Sequence, residues 1–384
     1  MFILRKIQTI MRASLLFFMC FYCFSLFAQD HYLLVGTYTT GKSKGVYVFR
    51  FNSQNGEIQW VSSTDSATNP SFLAVSPDKQ KIYTVNETGG DQPGYVSAYD
   101  FDAATGQLYY INSQPTGGDH PCYVTVDKTG KWVITGNYTG GNISVFPVAS
   151  DGSLKHYVQK IQHTGSSINK DRQEKPHVHG TFFSPDERFL LVPDLGTDKL
   201  MMYAFNPTTK QPLKPATMPF AASAPGSGPR HLDFHPNQKF VYLLEELTGS
   251  IKVYRYNSGY LTGIQQIATH PKDFTGQAGS ADIHVSPDGK FLYASNRGEE
   301  NNLAIFSIDQ NTGKLTSIGY QPVPGAGPRN FIIEPSGNFL LVANQRTNNI
   351  VTYRINKQTG LLQQLIRQTE VPNPVCLKLI PIQE

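Results

Sequence analysis

The sequence predicts an all-β, seven-bladed β-propeller, and three observations carry that expectation. First, one phrase recurs seven times: a small residue and usually Pro open a strand, and a Ser-Pro-Asp-Gly-like turn follows. The copies begin at Asn69-Pro70-Ser71, His120-Pro121-Cys122, His177-Val178-His179, Gly228-Pro229-Arg230, Gly279-Ser280-Ala281, Gly327-Pro328-Arg329 and Asn373-Pro374-Val375. Second, the spacings between their middle residues are 51, 57, 51, 51, 48 and 46. A period near 50 in strand-rich sequence is one four-stranded blade per repeat. Third, the two ends of the chain complement each other, as shown below.

Within a repeat, Phe72–Val75 reads as the innermost strand and Ser76-Pro77-Asp78-Lys79 as a type I turn with Pro at its second position. Ile82–Asn86 is the second strand. Tyr95–Phe101 alternates as the third, with Val96, Ala98 and Phe101 set against Ser97 and Asp100, and Leu108–Ser113 forms the outer edge. After Asn373-Pro374 only one strand remains, Val375–Ile380, whereas His31–Val35, Gly45–Phe51 and Ile58–Ser62 match second, third and outer strands. The last blade is therefore expected to combine one C-terminal strand with three N-terminal ones, closing the ring without an open edge.

Composition agrees with many short strands and tight turns: 20 Tyr, 23 Phe, 33 Gly and 25 Pro. A formal charge of +4, without a long Lys/Arg run, argues against a nucleic-acid partner. Arg5, Lys6 and Arg12 precede an apolar run from Ser14 to Ala28, which reads as a signal peptide over residues 1–28, followed by one propeller domain over 29–384. The expected destination is the periplasm or the extracellular space, with membrane contact only through this segment if it stays uncleaved. Cys20 and Cys23 lie within the segment and lack a lipobox. Beyond it stand only Cys122 and Cys376, two blades apart and expected as buried free thiols. A monomer is expected.

Two motif matches fail on context. Gly36-Thr37-Tyr38-Thr39-Thr40-Gly41-Lys42-Ser43 fits the P-loop pattern, and Gly41-Lys42-Ser43-Lys44-Gly45 fits the nucleophile elbow. Both need a helix next. Gly45–Phe51 alternates as a strand instead.

The repeat assigns ring positions around the channel. The residue after the strand-opening position gives Ser71, Cys122, His179, Arg230, Ala281, Arg329 and Val375; the end of the second strand gives Thr37, Glu87, Tyr138, Leu195, Glu246, Arg297 and Gln345. Each charged member has a structural alternative, the arginines as ion-pair partners of Glu246 or Glu87 and His179 as a satisfied buried histidine. Charge gathered at a narrow axis nevertheless costs desolvation unless it meets a ligand or a partner. The preceding ring (Gly36, Asn86, Asn137, Asp194, Glu245, Asn296, Asn344) suits strand-end turns. Its oxygens would also suit Ca²⁺; no cofactor is otherwise expected. Arginines clamp carboxylate or phosphate, and Glu and His move protons. Together they fit lactone hydrolysis, with an Arg steadying the oxyanion.

The chain resembles the seven-bladed propeller lactonase family, which includes bacterial 6-phosphogluconolactonase and fungal carboxy-cis,cis-muconate cyclase. The resemblance rests on Arg172-Gln173, His177-Val178-His179, Phe183-Ser184-Pro185-Asp186, Asp194-Leu195-Gly196-Thr197-Asp198, Gly228-Pro229-Arg230-His231, Glu245-Glu246-Leu247, Asn296-Arg297-Gly298 and Gly327-Pro328-Arg329. It implies His179, Arg230, Glu246 and Arg297 as the catalytic set. Arg172, His177, Arg329, Glu87 and Asp194 are the expected substrate-binding residues. The expected activity is hydrolysis of an anionic sugar lactone, 6-phosphogluconolactone foremost, with Glu246 or His179 as base. A cycloisomerase acting on an unsaturated dicarboxylate and a non-enzymatic exported binding propeller are the alternatives.

Overall fold

The computed structural model describes residues 29–65 and 67–382. The signal peptide expected over residues 1–28 lies outside them. Among the described residues, 28 strands form seven four-stranded antiparallel sheets arranged as a propeller. Blade 1 holds Leu73–Val75, Lys81–Asn86, Tyr95–Asp102 and Gln107–Pro115 from the channel outward. Blades 2 to 6 repeat this order, with inner strands Pro121–Val126, Phe182–Phe183, Pro229–Phe234, Ser280–Val285 and Pro328–Ile333.

Blade 7 is composite, as the sequence predicts. Pro374–Pro381 forms its inner strand and pairs with His31–Thr37 in the register Tyr32↔Ile380, Leu34↔Lys378, Gly36↔Cys376. Tyr47–Phe51 and Ile58–Ser63 complete it. The segment that matches a P-loop leads from one strand of this blade into the next, without a helix.

Neighbouring blades adhere through the apolar faces of their sheets. Phe51 of blade 7 meets Phe339 of blade 6 edge to face at 5.7 Å. Buried tyrosines also reach across: Tyr83, Tyr242 and Tyr293 donate to the carbonyls of Gly152, Gly313 and Gly360 in the outer turns of the next blades. Each hydroxyl thus finds a partner while its ring fills the interface.

The strand-opening phrase has a conformational cause. Asn69, His120, Gly228, Gly327 and Asn373 all carry positive φ, between 41° and 72°, and each precedes Pro. Gly or Asn tolerates this left-handed backbone most readily, which explains the small residue of the repeat. Immediately after it the ladder skips one residue. Pro229 pairs with Glu245 and His231 with Leu244, leaving Arg230 unpaired. Cys122, Arg329 and Val375 are skipped in the same way. Such a bulge re-aims one side chain, here toward the channel.

Two expectations need correction. In blade 3 the inner strand is reduced to Phe182–Phe183, and Val178↔Asp194 is an isolated bridge. The Asp194 carboxylate accepts from the backbone N–H groups of His177 (2.8 Å) and Gly196 (3.1 Å), which replaces part of the ladder. In blade 7 the second-strand ring position is Tyr38, not Thr37. The backbone N–H of Tyr38 donates to Asn373 O, the counterpart of Glu246 donating to Gly228 O. Thr37 belongs to the preceding ring, paired with Pro374.

Removing the ten residues 375–384 deletes the inner strand of blade 7 and its buried Val375, Cys376, Leu377 and Ile380. The truncated protein should melt at least roughly 10 °C below the full chain or fail to fold, because both flanking blades lose a packed face. An unchanged melting temperature would contradict closure by the composite blade.

Candidate active site

The skipped residues converge at one end of the channel. Ser71, Phe72, Cys122, His179, Arg230, His231, Arg329 and Val375 line a small cavity there. Larger hollows of about 580 and 550 Å³ open on the flanks of blade 1. Neither flank hollow holds the buried, opposed charges found at the mouth.

Two carboxylates organise that mouth. Glu246, 5% exposed, is the hub of the first cluster. Its Oε1 accepts from Arg172 Nη2 at 2.8 Å and lies 3.2 Å from Arg297 Nη2. Its Oε2 accepts from Arg230 Nε at 2.9 Å, and His179 Nε2 is 3.9 Å away. Burial alone would raise this carboxyl, but the surrounding guanidinium groups hold it well below the usual carboxylate range. Both oxygens are engaged, so Glu246 is a charge anchor and a poor proton acceptor.

Arg230 is 1% exposed. Burial first, then repulsion from Arg297, pushes its guanidinium down to about 10, which leaves it charged at neutral pH. Its Nη1 also donates to Ala281 O. Arg297 Nε donates to Gly279 O at 3.0 Å. Arg172 reaches in from the loop before blade 3. Gln173 pins that loop by donating to Leu195 O and Asp198 Oδ1, both at 2.8 Å.

The second cluster faces the first across the axis. Glu87 Oε2 accepts from Ser71 Oγ and from Tyr38 Oη (2.9 Å), and Arg329 Nη2 donates to Tyr38 Oη at 3.0 Å. The Arg329 guanidinium also lies 5.4 Å from the Tyr38 ring centroid. Four arginines stand against two carboxylates in these two clusters, so positive groups predominate there.

The two histidines at the cavity are neutral. Burial, then Arg230, lowers His179 well below 6.5 and takes His231 to about 4. Tyr138 packs edge to face on His179 at 5.3 Å, stacks on His177 at 4.5 Å, and accepts from Arg172 through its hydroxyl at 3.2 Å.

The structure therefore brings His179, Arg230, Glu246, Arg297, Arg172, Arg329 and Glu87 together. His177 sits behind them: its Nδ1 meets Tyr138 O (3.1 Å) and its Nε2 meets Glu174 (3.1 Å). Asp194 does not reach the mouth. It is fully buried, with Oδ1 on backbone N–H groups and Oδ2 on His163 Nδ1 at 2.8 Å, so its role is to shape the loop rather than to meet a ligand. Among the described residues no group of three or more His, Cys, Asp or Glu is placed to hold a metal.

Three residues of the site escape the sequence reading. Tyr38 holds the ring position of blade 7, one residue beyond the Thr37 that the repeat spacing predicts. His231 and Asp282 occupy the position after the ring, one layer deeper. Polar residues at that position in adjacent blades (His231, Asp282, Asn330), where blades 1 and 2 carry Phe72 and Tyr123, were the available signal.

The sequence model of the seven-bladed β-propeller lactonases matches residues 32–379. The chain belongs to this family. Two curated relatives are 6-phosphogluconolactonases. That of Formosa agariphila is 40% identical over 349 residues, covering 90% of this chain and 99% of the relative. That of Bacillus subtilis is 36% identical over 351 residues, covering 90% and 97%. Among solved structures, the periplasmic gluconolactonase of Pseudomonas aeruginosa is 36% identical with a TM-score of 0.88, covering 92% of this chain and 100% of that one. The lactonase fold thus extends over nearly the whole described chain.

The depressed histidines set a pH signature for stability. A group whose folded value lies below its unfolded value of about 6.5 binds protons preferentially in the unfolded chain. Stability is full above 6.5 and falls as pH drops toward the folded value, by up to about 1.4 kcal/mol per pH unit per group. His31, His179 and His231 act in this direction, while His284 and the carboxyls of Glu187, Asp233 and Glu245, whose values are raised, oppose them. The melting temperature should fall from pH 7 to pH 5, and less steeply in His179→Gln. A flat or rising profile would contradict neutral histidines at the mouth.

Proposed function

We propose that this protein hydrolyses a sugar lactone carrying a phosphate, with 6-phosphogluconolactone as its substrate. The observation that carries the reading is the excess of positive charge at the channel mouth, fixed by Arg172, Arg230, Arg297 and Arg329 around Glu246 and Glu87. A phosphomonoester carries about −1.5 to −2 charge at neutral pH, which suits a mouth where arginines predominate. The names of the Formosa agariphila and Bacillus subtilis relatives point the same way.

In this reading water attacks the lactone carbonyl. Arg230 and Arg297 face the carbonyl oxygen and stabilise the oxyanion as it develops, with no reorganisation because the carboxylate of Glu246 already fixes both guanidinium groups. Arg172 and Arg329, on opposite sides of the mouth, hold the anionic tail. The base is a neutral imidazole at the cavity, since Glu246 is held ionised with both oxygens occupied. His177 positions the Tyr138 ring rather than meeting the substrate.

The reading extends to location. Arg5, Lys6 and Arg12 ahead of an apolar run support export, and the Pseudomonas aeruginosa relative is described as periplasmic. Fractionation of expressing cells should place the protein outside the cytoplasm with residues 1–28 removed. A cytoplasmic protein retaining its N-terminus would contradict export.

Removing one oxyanion donor by Arg230→Ala should lower kcat/KM on 6-phosphogluconolactone about a hundredfold or more. Activity within a few-fold of the parent would remove Arg230 from this role. The same assay on unphosphorylated gluconolactone should give a markedly higher KM. Equal KM values would contradict phosphate recognition by the arginine ring.

A further inference from the structure

Below the mouth, the channel holds a polar network that the roles above do not use. His231 forms the cavity floor, 5% exposed, beside His179, Phe72, Tyr123 and Phe182. Its Nδ1 lies 2.8 Å from Asp282 Oδ1. The Asp282 carboxylate is itself held firmly: Oδ2 accepts from Asn330 Nδ2, from the Phe331 N–H (3.2 Å) and from His284 Nε2 (3.0 Å). Burial would raise Asp282, but His284 and His231 keep it ionised, well below the usual range. His284 is partly exposed, and Asp233 Oδ2 lies 4.0 Å from its Nδ1.

An ionised carboxylate on Nδ1 fixes the imidazole in one tautomer: the proton sits on Nδ1 and the Nε2 lone pair points the other way. His231 Nε2 has no hydrogen-bond partner within the described protein, and the ring lines the cavity next to Arg230. Nε2 is not sealed off in the core, unlike His270 Nε2, so a ligand or a reacting water in the cavity can meet it. His179 lacks this support. Its Nδ1 meets only the Cys122 sulfur at 3.8 Å, and burial pushes that thiol up and keeps it protonated.

We infer that His231, oriented by Asp282, is the general base of the hydrolysis and then its general acid. Within the hydrolytic reading above, on which this rests, His231 Nε2 removes a proton from water as its oxygen bonds to the lactone carbonyl carbon. The carbonyl π electrons move to the oxyanion beside Arg230. On collapse the bond from that carbon to the ring oxygen breaks, and the ring oxygen takes the proton from Nε2. The new carboxylic acid then ionises to solvent. Asp282 is a positioning residue: it sets the tautomer and stabilises the transient imidazolium against Arg230 and Arg329. The other titrating groups facing the dyad are His179, Tyr123 and, through Asp282, His284 with Asp233. His179 becomes a hydrogen-bond donor to substrate.

The test is steady-state kinetics of the purified protein on 6-phosphogluconolactone, with His231→Gln, Asp282→Asn and His179→Gln compared, each checked for cooperative melting. His231→Gln should lower kcat about a hundredfold or more with KM within about twofold, the scale of a lost general base. Asp282→Asn should lower kcat at least about tenfold, again without raising KM. An active parent whose His231→Gln form keeps kcat within threefold overturns the assignment, as does a hundredfold loss confined to His179→Gln. A parent that hydrolyses no lactone overturns the hydrolytic reading itself and the dyad with it. Nitrogen-15 NMR of the unmodified protein at pH 7 gives a check independent of folding in the variants. The His231 ring should be neutral with its proton on Nδ1, and a proton on Nε2 would overturn the assignment.

Discussion

The site depends on a backbone device, the one-residue bulge that follows the strand-opening position in blades 2, 4, 6 and 7. Ladder pairs on either side, such as Pro229↔Glu245 and His231↔Leu244, hold the inner strand in place without help from the residue between them. That residue is free to vary, because no ladder hydrogen bond depends on it and its side chain leaves the sheet toward the axis. In these blades it becomes Cys122, Arg230, Arg329 or Val375. A repeating scaffold thereby presents a non-repeating ring, and side chains from all seven blades meet within one narrow mouth.

Holding that much charge at the axis requires an anchor, and Glu246 supplies it. Desolvating Arg230 to 1% exposure is unfavourable by itself, as the lowered value of its guanidinium shows. The shared carboxylate offsets that cost and at the same time aims three guanidinium groups from three parts of the chain. Arg172 arrives on a loop, Arg230 from a bulge and Arg297 from a second-strand end, yet all meet one pair of oxygens. Glu87 and Tyr38 do the same for Arg329 across the axis. Because the arginines of the two clusters outnumber Glu246 and Glu87, the ring suits an anionic ligand.

Much of this was legible in the sequence, for physical reasons. Pro after a left-handed residue and Ser-Pro-Asp-Gly turns are local constraints, so they mark the period directly, and the composite blade followed from the mismatch of the two ends. The charged ring followed from the period. What failed was non-local. The N-terminal strands of blade 7 lack a preceding turn phrase, so the spacing points to Thr37 where the ring residue is Tyr38. Asp194 looks in sequence like any polar residue at a strand end, and only the three-dimensional pairing with His163, His177 and Gly196 reveals that both oxygens are spent within the protein. Likewise, the partnership of His231 with Asp282 joins residues 51 apart through the bulges of two blades.

The central claim is that an arginine ring anchored by Glu246 and Glu87 binds a phosphorylated sugar acid with its carboxyl end at Arg230. A crystal structure with the product 6-phosphogluconate bound tests it most directly. The carboxylate should lie within hydrogen-bonding distance of Arg230 and Arg297, and the phosphate on Arg329 or Arg172. Product seated in the hollows on the flank of blade 1, or with its carboxylate away from Arg230, would contradict the account.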